Sequence, residues 1–390
     1  MRDAVIVGAV RTPIGKRNGG LAGVHAVDLS ATVLQALVDR AGVDPSLVDD
    51  VHWGNVLSVG QQSGNVGRMA VLAAGWPESV PGFTIDRQCG SSQQAISTAA
   101  ATVISGQADV IVAGGVEMMS AVPMGASAVE GTGDMGGSAV GRYADALRAP
   151  GFGGRFNQGA GAELIAREYV LTRTQLDEYA IRSHQLAAAA QDDGLFDGEI
   201  VAITNDSGDI TVDEGIRRGS TVEKLAALKT PFLEGGSITA GNASQISDGA
   251  AAVLITTSER AAQLGLAPVA RIHTAVVTGD DPVKMLTGPI PATELALKRS
   301  GLTLNDIDFF EVNEAFASVP LAWQAATGAP IDRLNPLGGA IALGHPLGCS
   351  GARLATTLIN QLRRTGARYG LQTMCEGGGT ANATIYERIT

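Results

Sequence analysis

Apolar residues recur at helical spacing from Asp28 to Gly42, with Leu29, Val33, Leu34, Leu37 and Val38 on one face and a glycine that suits the position after a helix C-terminus. Pro291 to Gly301 repeats this pattern in shorter form, with Leu295 and Leu297. Laid without a gap over GLTLNDIDFFEVN, the segment GVDPSLVDDVHWGN places Val48, Asp49 and Val51 on Ile307, Asp308 and Phe310. A second correspondence follows downstream. DVIVAGG (Asp109 to Gly115) and YGLQTMCEGGG (Tyr369 to Gly379) are each a short apolar strand running into glycines, and each follows an amphipathic segment, SSQQAISTAAATVIS and SGARLATTLINQL respectively. The same supersecondary unit is therefore expected twice. Helices alternating with strands predict an α/β protein with mostly parallel, buried sheets and helices on their faces.

Between the two halves the pattern breaks. From Ser120 to about Gly161 the chain is rich in Gly, Ala, Ser and Met without strand alternation, and it reads as loop. A helix is predicted over Gln175 to Gln191, then a charged, turn-rich stretch containing DEGIRR and a short helix around Val222 to Leu228. Loops this long inside a compact protein are functional or disordered, and the interspersed apolar helices favour function. Residues 119–248 are accordingly read as an inserted lid, with 1–118 plus 249–268 forming the first half and 269–390 the second.

Composition narrows the function classes. The 390 residues are 45% hydrophobic, which supports a large core but exceeds one ordinary core, so two or three units are expected. Only 4% are aromatic and the net charge is −11, a balance that disfavours nucleic acid and anionic membrane surfaces as partners. An anionic ligand would need a local basic patch. Three cysteines in so long a chain do not make a disulfide framework, and no apolar run reaches the length of a membrane span or signal core, so a cytoplasmic protein is expected.

The chemistry gathers in four places. In DRQCGSSQQA, Cys89 stands at a predicted helix start, where partial positive charge and free N–H groups favour a thiolate; its competing reading is a small buried cysteine. In GGAIALGHPLGCSG, His345 lies in a glycine-dense loop that lets backbone approach a ligand, which makes it the candidate base among five histidines. In TMCEGGG, Cys375 closes an apolar strand before three glycines whose N–H groups can form an anion nest, though a core cysteine at a strand end fits as well. In EVNEAFAS, Asn313 and Glu314 end the strand Ile307 to Val312, where side chains enter a ligand crevice; Asn313 could hold a water or carbonyl, and Glu314 could equally be a structural hydrogen-bonder.

These blocks, together with VRTPIGK near the start, GGVEMMS (Gly114 to Ser120), SITAGNASQISDGAAAV (Ser237 to Val253), NEAFA and GGAIALGHPLGCSGARL, resemble thiolase motifs in thiolase order along essentially the whole chain. The resemblance implies a five-layered αβαβα fold of two duplicated halves and an acyltransferase that cleaves 3-ketoacyl-CoA with CoA, or condenses two acyl-CoAs in reverse, through an acyl-cysteine. It implies Cys89 as nucleophile, His345 as its base, Cys375 as a second acid/base, one oxyanion site from His345 with a water on Asn313, and another from the N–H groups of Cys89 and Gly377. Coenzyme A enters as substrate, with no metal or permanently bound cofactor, and a homodimer or homotetramer is expected. DEGIRRGSTVEKLAALKTPF resembles the segment that holds the nucleotide end of CoA, with Arg217, Leu228 and Phe232 at matching positions; Ser244 matches a pantetheine contact and Phe316 a pocket wall. For Arg218 and Lys224 a solvated charged helix is the competing reading.

Three places depart from the pattern: the pair Asn157 and Gln158 in the lid, Leu337 before the paired glycines, and Glu376 where an aliphatic residue is common. A polar Gln158 in a Gly-rich lid suits a bulky or functionalised acyl group and resembles degradative thiolases of actinobacteria, some of which handle steroid-derived acyl-CoAs. A biosynthetic acetoacetyl-CoA thiolase and a non-catalytic CoA-binding relative are the alternatives. A decarboxylating ketoacyl synthase shares the fold, and Cys375 speaks against it.

Overall fold

The computed structural model describes residues 2–128, 136–205 and 208–389. The first half runs β1 (Val5–Arg11), α1 (Ala26–Ala41), β2 (Asp50–Gly54), α2 (Val66–Ala73), β3 (Phe83–Ile85), α3 (Ser91–Ser105) and β4 (Val110–Met118). Two helices of the insertion, α4 (Gln158–Glu168) and α5 (Arg173–Asp192), precede β5 (Ser247–Thr256). The second half runs β6 (Ala270–Gly279), α6 (Pro289–Ser300), β7 (Phe309–Val312), α7 (Ser318–Thr327), α8 (Ala340–Leu343), α9 (Ser350–Thr365), β8 (Tyr369–Glu376) and β9 (Thr380–Arg388).

The repeat is visible at the level of single hydrogen bonds. Gly42 and Gly301 end α1 and α6 in the left-handed conformation, at φ 68° and 73°. Asp49 then accepts from the N–H groups of Asp109 and Val110, and Asp308 accepts from those of Arg368 and Tyr369. Strand order follows suit, β1-β5-β4-β2-β3 in one half and β6-β9-β8-β7 in the other, joined where Val5 and Ile6 of β1 pair with Arg271 and Ala270 of β6. Helices α3 and α9 pack on each other between the two sets of strands, α1 and α2 cover the outer face of one set, and α6 covers that of the other. That stacking is the five-layered αβαβα arrangement.

The expectation of mostly parallel sheets is corrected. Among these strands β2/β3, β2/β4 and β7/β8 pair in parallel, whereas β1/β5, β4/β5, β6/β9 and β8/β9 are antiparallel. The reason is local: only Gly377, Gly378 and Gly379 separate β8 from β9, and a turn that short reverses the chain. Gly378 and Gly379 hold φ of 82° and 78°, which L side chains rarely adopt. In the first half the same junction, between β4 and β5, carries residues 119–246 instead. This segment is less loop-like than its composition suggests, with short helices at Ser138–Arg142 and Ala144–Leu147 and α4 beginning at Gln158; the stretch 129–135 of the expected loop lies outside the described residues. Among the described residues no helix is long and apolar enough to cross a membrane.

Candidate active site

Cys89 lies in the turn between β3 and α3. Gln88, just before it, sits at φ 48°, a strained conformation for a residue with a side chain and one that recurs at functional turns. Ser91 holds the turn, its hydroxyl donating to Gln88 O while accepting from Arg87 N–H. Helix α3 starts only at Ser91 with Gly90 as its cap, so Cys89 stands ahead of the first turn. The expectation that the helix terminus would leave a thiolate is therefore revised: burial pushes the thiol up to about 12, the nearby Glu376 carboxyl adds to this, and a hydrogen bond from Gln158 opposes it. At neutral pH Cys89 is a thiol in need of a base.

His345 has the properties of that base. Ser350 Oγ donates its one proton to Pro346 O at 2.8 Å, so it can only accept from His345 Nδ1, 2.6 Å away. This network assigns the proton to Nδ1 and leaves the lone pair on Nε2. The Asn313 amide nitrogen lies 3.4 Å from that Nε2, and Asn313 Oδ1 is a buried acceptor with no partner among the described residues. Burial and the Arg353 guanidinium depress the imidazole pKa to about 3, so it is neutral and able to take a proton. Asn313 is brought here by β7, through its N–H to Thr373 O in β8.

Cys375, two residues along that strand, is fully buried, and its thiol is raised well above the ordinary value by burial and by Cys89. The turn after it closes on the Cys89 loop: a Cβ on Gly377 would meet Gln88 Oε1 at 2.9 Å, and Asn382 Nδ2 donates to Gly90 O at 3.2 Å. The Cys89 loop thus meets Cys375 and Gly377 where the two halves join, while Asn313, bonded to the strand that carries Cys375, meets His345.

The expected ligand side divides. Ser244 N–H donates to Ala315 O and Ala317 N–H to Asn242 O, which clips Ser244 beside Phe316, and the Phe316 and Phe232 rings meet edge to face at 5.9 Å. Gly159 at the start of α4 lies directly under the Phe232 ring, where a Cβ would come within 2.1 Å. Leu228 is 37% exposed. Arg217 is exposed and forms no ion pair among the described residues, while Arg218 makes two 2.7 Å contacts to Asp192 and Lys224 donates to Gly219 O. Asn157 caps α4, its Oδ1 accepting from Gly159 and Ala160 N–H and its Nδ2 donating to Gly151 O. Glu314 is structural, accepting from Tyr179, Ser183, Asn335 and Ile341.

Three positioning groups were not singled out by sequence reasoning. Ser350 fixes the His345 tautomer, Gln245 O accepts the His345 N–H, and Glu117 takes the Gly348 N–H of the same loop at 2.9 Å. Ser350 stands five residues after His345 inside the glycine block, but its role depends on the turn geometry that brings it back. Among the described residues no group of three or more His, Cys, Asp or Glu side chains is arranged to hold a metal ion.

Known proteins match this chain over its full length. The thiolase N-terminal domain family matches residues 4–259 and the thiolase C-terminal domain family residues 266–388. A steroid 3-ketoacyl-CoA thiolase, FadA6, of Mycobacterium tuberculosis is 51% identical over 396 aligned positions, covering 100% of this chain and 95% of that protein. A 3-ketoacyl-CoA thiolase of Klebsiella pneumoniae is 44% identical, with 100% of both chains covered. The crystal structure of the Bacillus anthracis acetyl-CoA acetyltransferase superposes with a TM-score of 0.89 at 39% identity, covering 100% of this chain and 99% of that one. The fold of two duplicated halves, the paired cysteines and these matches lead to one conclusion: the chain belongs to the thiolase family of acyltransferases.

Proposed function

We propose that this thiolase degrades 3-ketoacyl-CoA by thiolysis, with Cys89 as the acyl carrier. His345 Nε2 takes the Cys89 proton and the thiolate attacks the 3-keto carbon. The C2–C3 bond breaks, the acyl group stays on Cys89 as a thioester, and the electron pair leaves as the acetyl-CoA enolate, which takes a proton from Cys375. In the second half-reaction Cys375 removes the proton of an incoming CoA thiol, the CoA sulfur attacks the thioester, and Cys89 leaves to recover its proton from His345. Covalent catalysis divides one difficult step into two. Asn313, with a water on its free Oδ1, and His345 form one oxyanion site, and the N–H groups of Cys89 and Gly377 the other. The observation that carries this reading is His345 Nε2 at 3.4 Å from Asn313, which is bonded to the strand whose buried Cys375 faces Cys89.

The insertion, residues 119–248, serves as the CoA-binding lid between the halves 1–118 with 249–268 and 269–390. In it Arg217 meets the nucleotide phosphates, Leu228 and Phe232 flank the nucleotide end, and Ser244 and Phe316 line the pantetheine channel. Gln158, which reaches the Cys89 thiol, faces the acyl group. A polar group there, with the likeness to a steroid thiolase, favours bulky steroid-derived acyl chains over acetoacetyl alone. We place the protein in the cytoplasm as a homodimer or homotetramer, in keeping with the family resemblance.

Mixing the protein with acetoacetyl-CoA and CoA tests the reaction through loss of enolate absorbance. Turnover that vanishes in Cys89→Ala supports the reading; turnover that survives in that variant removes Cys89 from the mechanism. A panel of 3-ketoacyl-CoAs of increasing size tests the acyl preference, and reaction with acetoacetyl-CoA alone would end the bulky-substrate proposal.

A further inference from the structure

The internal repeat that relates Asp49 to Asp308 also relates Glu117, near the end of β4, to Glu376, at the end of β8. Both side chains are fully buried. They point into equivalent loops of the opposite half, Glu117 at Gly348 ahead of α9 and Glu376 at Gly90 ahead of α3. Their surroundings differ sharply. Glu117 accepts from the backbone N–H groups of Val56, Leu57 and Gly348 and from the side-chain amides of Asn55 and Gln62. Among the described residues Glu376 accepts only from Thr380 Oγ1, at 2.7 Å on Oε2. Its Oε1 has no partner among the described residues, although a Cβ on Gly90 would lie 2.0 Å from it. A buried carboxylate needs several donors to remain charged, and one without them favours its neutral form.

We propose that Glu376 is a positioning residue that governs how readily the Cys89 thiol ionises: as a neutral acid it leaves the thiolate unopposed, and as a carboxylate against Gly90 it holds Cys89 protonated. The groups facing it are Arg87 and Cys89 from the loop before α3, with Asp86 acting on Cys89 from that loop, and Cys375 from its own strand; β9 brings the uncharged Thr380 and Asn382. Burial raises Glu376 to about 7 against the opposing Thr380 hydrogen bond and Arg87, so the change of state falls in the physiological range. An aliphatic residue at this position would leave no such control. The inference rests on the thiolase reading only in taking Cys89 as the nucleophile.

The test is the rate of Cys89 alkylation by iodoacetamide from pH 6 to pH 9, followed by intact-mass spectrometry on the full chain without CoA. In the unmodified protein the rise with pH should flatten as Glu376 ionises. Glu376→Gln keeps the shape and removes the charge, so its profile should coincide with the parent at pH 6 and exceed it by about threefold to tenfold at pH 8.5, the effect of removing a like charge from beside a thiol. Thr380→Val retains the carboxyl but removes the donor that favours its charged form, so the flattening should move to higher pH. Coincident profiles for parent and Glu376→Gln, or an unmoved inflection in Thr380→Val should Glu376→Gln not fold, overturn the proposal. If the two-stage profile appears in a protein that leaves acetoacetyl-CoA uncleaved, the catalytic reading fails and the role of Glu376 stands.

Discussion

The two halves share one backbone plan and divide the chemistry unequally. In the first half the junction of β4 and β5 carries the long insertion, Gly54 ends β2, and Glu117 is saturated with donors. At the matching places in the second half stand a three-glycine turn, Asn313, and Glu376 with a single donor. The loops before the two central helices differ likewise: one presents Cys89 and the other His345. Strands and helices tolerate duplication because they answer only to burial and hydrogen bonding, whereas loop ends at the interface of the halves are free to diverge. The difference teaches that equivalent positions of the two halves carry different polar groups, Glu117 holding loops with five donors where Glu376 has one.

Several substitutions would break or sharpen that contrast. The largest effect is expected at Asn313, which in the first half is Gly54: Asn313→Ala should lower kcat by about 100- to 1000-fold, the usual loss when an oxyanion group is removed, while Tm stays near that of the parent. A normal kcat in that variant would mean the second half holds no oxyanion site at β7. Next comes the pair of glutamates. Glu117→Gln turns an acceptor of five hydrogen bonds into a partial donor and should cost about 2–4 kcal/mol in denaturant unfolding, whereas Glu376→Gln should change stability by less than about 1 kcal/mol. Equal losses would erase the distinction drawn between them. The smallest effect belongs to the lid: Arg217→Ala should raise KM for CoA about fivefold at unchanged kcat, with no effect on pantetheine thioesters that lack the nucleotide. Arg218→Ala, which only frees Asp192, should leave both constants in place.

Much of this was legible in the sequence, and the reasons are specific. The gapless match of Asp49 to Asp308 survives because each aspartate takes the N–H groups at the start of the neighbouring strand, so the pattern carries a geometric requirement. Cys89, His345 and Cys375 stood out because glycines adjoin them in the sequence, and Asn313 because it ends a predicted strand. Sheet direction was misread because alternation of helices and strands says nothing about the final hairpin, which depends on three glycines alone. The capping role of Asn157 went unread because an asparagine before an apolar segment suits a helix cap and a ligand contact alike, and only the structure shows the Gly159 and Ala160 N–H groups on it. The thiolate expected at Cys89 gives way because burial and a carboxylate distant in sequence outweigh a helix that starts two residues on. No local pattern reveals Glu376 beside Gly90, since their contact spans the whole repeat.

The central claim is that Cys89 carries the acyl group, and trapping that group tests it most directly. Protein incubated with acetyl-CoA and digested after acid quenching should yield one acetylated peptide, modified at Cys89, and Cys89→Ala should yield none. An acetyl adduct on Cys349 or Cys375, or one that persists in Cys89→Ala, would contradict the account.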